Sequence, residues 1–180
     1  MENINDDWEN RIAAVWQIAD TMLANDLVTA IDALTAARVG NHGNDGNEEA
    51  AALFERASAR DRAGLEVEAE HYYRAALASP ALDPYRRSRA SIQLGSTLRI
   101  LGQLAESERL LSAELDRHLE PDNPRALHDE ARAILALTYV AQGRAVEAAG
   151  LALSALSPHL TRYNRSVSGN AALLVTQAWN

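Results

Sequence analysis

The sequence predicts an all-α fold, a stack of antiparallel helical hairpins comprising about nine helices with a capping helix at the C-terminal end. Three observations carry that prediction. A small–glycine–small spacing recurs three times, 35 of the 180 residues are Ala while only one is Phe, and Asp83-Pro84 and Asn123-Pro124 mark fresh helix starts. Alanine favours helix and close helix packing, whereas the β-branched and aromatic residues that build ladders are scarce.

Residues 6–39 are expected to form an N-terminal helical hairpin, with apolar residues at helical spacing: Trp8, Ile12, Val15, Trp16, Ala19 and Leu23, then Leu27, Ile31 and Leu34. GNHGNDGN (40–47) is expected to be a flexible loop, because Gly and Asn tolerate positive φ. The first 39 residues are too few to fold alone. The loop is therefore read as internal to a single domain spanning 1–180.

Three repeats follow, at 48–82, 83–122 and 123–160. Each has a small residue in its first helix (Ala57, Gly95, Ala136), a glycine seven residues later (Gly64, Gly102, Gly143), and a small residue five further on (Ala69, Ser107, Ala148). A glycine closing an amphipathic helix supplies the left-handed C-cap, and small residues let two helices of a hairpin approach closely. One hairpin cannot bury its own apolar stripe, so neighbours must stack. Asp83 and Asn123 are N-capping residues placed before a proline whose missing N–H is of no consequence at the first helical position. Residues 165–179 are expected to form a helix capping the open end.

The tripled motif, over roughly residues 50–160, resembles the tetratricopeptide repeat family, and the leading hairpin with the PHLTRYNRS tail is similar to short bacterial members of it. The resemblance implies a right-handed α-solenoid that binds a protein or peptide in a concave groove lined by first helices. The groove positions it implies are Phe54 and Ser58, then Ile92, Gln93 and Ser96, then Glu130, Ala133 and Ile134. The Lys, Asn and Arg clamp with which some relatives grip a C-terminal carboxylate is absent, and Tyr139 alone supplies the aromatic expected late in a first helix.

The candidate partner-binding residues are Ser58, Arg62, Arg89, Gln93, Ser96 and Arg99. The last four recur at three- and four-residue spacing on one helix, where arginines suit an acidic segment. An ordinary solvated helix face, with Arg86 and Arg87 decorating the N-terminal turn, is the competing reading. Trp8, Trp16, Tyr72 and Tyr73 read as core or hairpin-interface aromatics. Trp179 either packs under the last hairpin or sits on a patch used for self-association.

Other chemistries lack their residues. With no Cys, disulfides, thiolate metal sites and Cys nucleophiles are excluded, and a reducing cytoplasm is the expected location. The five His residues show neither i,i+4 pairing nor an HExxH spacing, so no metal or other cofactor is expected. GNHGNDGN lacks the Lys-Ser/Thr of a phosphate loop, no G-x-S-x-G elbow exists, and no enzyme activity is expected. No basic n-region or membrane-length apolar run is present, so neither export nor membrane insertion is expected.

The net charge of −8 falls within residues 1–50, which hold ten acidic and two basic side chains, and nucleic acid is not an expected partner. The expected function is a non-catalytic scaffold for an unidentified protein or peptide. The alternatives are a homodimeric module that buries Leu173, Leu174 and Trp179 and, further off, a sensor of a small molecule or signalling peptide.

Overall fold

The computed structural model describes residues 4–41, 46–117 and 127–176. Among them lie nine α-helices: α1 (Ile4–Ile18), α2 (Ala24–Asn41), α3 (Gly46–Arg62), α4 (Glu66–Ala78), α5 (Pro84–Ile100), α6 (Leu104–Arg117), α7 (His128–Ala141), α8 (Ala145–Leu156) and α9 (Asn164–Val175). No strand occurs among the described residues. No helix among them is long and apolar enough to cross a membrane.

The repeat glycines close α3, α5 and α7. Gly64, Gly102 and Gly143 have φ of 73°, 77° and 80°. At each, two backbone hydrogen bonds overlap: Leu65 N–H to Arg60 O and Gly64 N–H to Asp61 O; Gln103 to Leu98 and Gly102 to Arg99; Arg144 to Tyr139 and Gly143 to Val140. This 6→1 plus 5→2 pairing is the Schellman C-cap, which satisfies carbonyls that the helix end would otherwise strand. The chain then turns directly into α4, α6 and α8. At the start of α5, Asp83 Oδ1 accepts the Arg86 N–H at 2.9 Å, so the expected N-cap is made. The Asn123-Pro124 start lies outside the described residues.

The chain divides into two compact units, residues 1–90 and 91–180, with the division falling inside α5. In the first unit α1 packs on α2, α2 on α3, and α3 on α4. Trp8, Ile12, Ala19, Leu27, Ile31, Ala51 and Ala59 form its core, and Val15, Trp16 and Leu34 pack against them. Phe54 and Tyr73, both fully buried, meet with ring centroids 6.3 Å apart. Burying a side chain of that size stabilises by about 1.5–3 kcal/mol. In the second unit α6 packs on α7, α7 on α8, and α8 on α9. Ile92, Leu111, Ala131 and Leu135 form the core there. Ser107, fully buried, donates to Gly95 O at 2.7 Å and lies 2.9 Å from Thr138 Oγ1.

One expected element differs. Gly40 and Asn41 end α2, and Gly46 and Asn47 begin α3, so the helices extend into the segment read as a loop. Gly and Asn permit positive φ without requiring it, and helix propagation from flanking turns costs only their weak propensity. Residues 42–45 lie outside the described residues, as does Trp179.

Candidate functional site

The first unit holds Ser58, Arg62 and Arg89. Ser58 follows the hairpin residue Ala57 inward and is 3% exposed, contrary to the expectation of an outward-facing serine. Arg62, at the end of α3, pairs with Asp20, so its charge is already engaged. Arg89 lies 4.9 Å over the Phe54 ring and 5.9 Å from that of Tyr85. Phe54, implied as a groove residue, is instead fully buried beneath it.

Arg86 is no surface decoration. Its guanidinium is 2.5 Å from Glu9 on α1, 3.3 Å from Glu55 on α3, and 3.2 Å from Asp83. Glu55 is buried and also accepts the Trp16 indole N–H at 2.8 Å. Burial pushes its carboxyl above the usual range, against the pull of Trp16 and Arg86. Arg60 grips Asp32 on α2 with two hydrogen bonds of 2.9 and 3.0 Å, reaches Glu68 on α4 at 3.0 Å, and lies 4.5 Å over Tyr72. Fork-to-fork pairing of this kind fixes geometry as well as charge. Tyr73 is core, as expected, and burial followed by the Asp61 charge raises its phenol strongly.

The second unit holds Gln93, Ser96 and Arg99, all half-buried on α5. Gln93 Oε1 and Arg99 Nε are buried atoms without a hydrogen-bond partner among the described residues. Ile92, implied as a groove residue, joins the core with Leu111, and Ile134 packs against that cluster. Glu130 and Ala133 are exposed. Sequence reasoning missed Leu137 and Val140, which are 48% and 59% exposed on α7 while Leu135, Ala136 and Thr138 are buried. Their signal was present: Leu137 stands 41 residues after Ser96, as Gly143 stands after Gly102.

On the other side of α7, Arg144 stacks 3.7 Å over the Tyr139 ring and binds Glu108 at 2.7 Å and Glu147 at 2.5 Å. Hydrogen bonds from Gln142 and then Arg144 lower the Glu108 carboxyl. These contacts are closed on themselves, whereas the Leu137 side of α7 faces outward. The second unit thus exposes aliphatic side chains on α7 and carries the half-buried Arg99 on α5.

The family model of the Tetratrico peptide repeat matches residues 50–174. No curated protein and no solved structure matches the chain.

Proposed function

Because the chain belongs to the tetratricopeptide repeat family, we propose that it is a non-catalytic scaffold that binds a protein or peptide on the outward faces of its first helices. One observation supports this most directly. Leu137 and Val140, at 48% and 59% exposure, place aliphatic side chains in water on successive turns of α7. Water-facing apolar surface gains about 25 cal/mol per Å² when a partner covers it. Arg89, Gln93, Ser96 and Arg99 are the polar groups we assign to binding, each within its own unit, and the repeats are taken as 48–82, 83–122 and 123–160.

The test is affinity capture from a lysate of the source organism, using the wild-type chain beside a Leu137→Ser, Val140→Ser variant of matched helicity. A stoichiometric partner retained only by the wild type is the expected result. Recovery of the same proteins with both baits refutes this surface.

A second reading, a homodimer, is favoured by Leu173 on α9, which is 45% exposed beside Val175 at 37%. Light scattering decides it: a mass twice that of the monomer, reverting with Leu173→Ser, supports self-association.

A further inference from the structure

We propose that the partner surface of the second unit recognises a carboxylate flanked by aliphatic side chains, with Arg99 holding the carboxylate and Ile100, Leu137 and Val140 covering the aliphatic groups. The proposal rests on the scaffold reading above and names the chemistry of its ligand.

The internal repeat places these residues together. Gly95 and Ala136, like Gly102 and Gly143, are 41 residues apart, so Ser96, Arg99 and Ile100 on α5 hold the positions that Leu137, Val140 and Ala141 hold on α7. The inner sides of the two helices share one core through Ile92, Ala131 and Leu135. What remains outward is aliphatic: Ile100, Leu137 and Val140 are 51%, 48% and 59% exposed. The single charge among the six equivalent positions is Arg99.

Arg99 differs from the other arginines that line helices of this unit. Arg109, Arg117, Arg132 and Arg144 each face a carboxylate, and Arg165 on α9 is exposed to solvent. Arg99 is half-buried, its Nε is shielded and without an acceptor, and it makes no hydrogen bond or ion pair among the described residues. The acidic residues of α7, Asp129 and Glu130, lie in its first turn, and Asp129 already pairs with Arg132. A half-buried cation lacking its counter-charge is complementary to an incoming carboxylate, and a guanidinium offers a fork that a carboxylate matches. Shielding from water strengthens the pair relative to one in open solvent. A ligand that is only acidic leaves the aliphatic side chains wet, and one that is only aliphatic leaves Arg99 unmatched.

The experiment selects binders of the full-length chain from a displayed library of randomised linear peptides. Affinities of synthetic copies are then measured by fluorescence polarisation. Selected peptides are expected to carry Asp or Glu beside Leu, Ile, Val or Met. Replacing that acid by its amide is expected to weaken binding about tenfold, the loss of one charge-assisted hydrogen bond. Arg99→Gln is expected to do the same, Arg99→Lys to restore only part, and Arg109→Gln, 75% exposed on α6, to change nothing. Helicity of each variant is checked by circular dichroism. Peptides that Leu137→Ser loses but that lack an acid, or are indifferent to Arg99→Gln, overturn the carboxylate proposal while leaving the scaffold reading standing. Peptides indifferent to both substitutions, or a selection yielding none, overturn both at this surface.

Discussion

Leu111 fills the space that a side chain at Gly95 would need: a Cβ built there falls 2.6 Å from Leu111 Cγ and within 2.9 Å of both its methyls. Leu111 is fully buried, so it has nowhere to turn. At the matching positions the other repeats carry Ala57 and Ala136. Alanine at position 95 gains about 1 kcal/mol of helix propensity but incurs overpacking of about 1–3 kcal/mol. Gly95→Ala is expected to lower the melting temperature by a few degrees. In a double-mutant cycle its cost is expected to vanish when Leu111 is also Ala.

The turn glycines present a different problem. A Cβ at Gly102 meets nothing within 4 Å, yet φ is 77°. Gly102→Ala is therefore expected to destabilise by about 1–2 kcal/mol from backbone conformation alone. Gly102→Asn is expected to cost less, because Asn tolerates the left-handed region. Urea denaturation with an unchanged m-value checks both.

Glu55 and Glu108 are expected to give pH profiles of opposite sign. Burial raises Glu55 above 4.5 despite Trp16 and Arg86. Its folded form holds the proton more tightly, so its contribution is full below about 4.5 and is lost as pH rises through the folded pKa. Glu55→Gln should gain stability relative to wild type across that rise. Hydrogen bonds from Gln142 and Arg144 lower Glu108 below 4.5, so its contribution is present above that value and is lost as pH falls through the folded pKa. The wild-type advantage over Glu108→Gln should shrink on acidification. Melting temperatures of all three proteins from mildly acidic to neutral pH, extended below 4.5 for Glu108, test the two signs.

Gly150 on α8 permits the approach of α9. A Cβ there falls 2.9 Å from both Ala171 O and Val175 N, backbone atoms that move only with their helix. Gly150→Ala is expected to loosen α9 first. Hydrogen exchange should show protection lost over residues 164–175 while α6 and α7 keep theirs.

Local rules account for what the sequence disclosed. The three left-handed glycines and the Asp83 cap follow from backbone chemistry acting over a few residues, so spacing alone locates them. Arg86 does not. Surface decoration, the competing reading of Arg86, misses its partners because a helix's first turn gives no sign of Glu55, 31 residues away, or Glu9, 77 residues away. Ser58 failed for a related reason: periodicity places it on a face, but the packing of Phe54, Tyr73 and Arg89 decides whether that face is open. Leu137 and Val140 are legible in principle from the 41-residue offset, but the groove positions that the family resemblance implies on α7 stop at Ile134.

The bridge from Arg86 to Glu9 also sets an order of assembly. Repeat arrays draw most of their contacts from neighbours close in sequence, which keeps contact order low and folding fast. Glu9 is synthesised 77 residues ahead of its partner. As the chain leaves the ribosome, α1 and α2 are complete long before the cation that ties α1 to α5 exists. Trp16 can reach Glu55 as soon as α3 has emerged, but the tie through Glu9 locks only with the start of α5, which makes Arg86 the timer for closing the N-terminal unit.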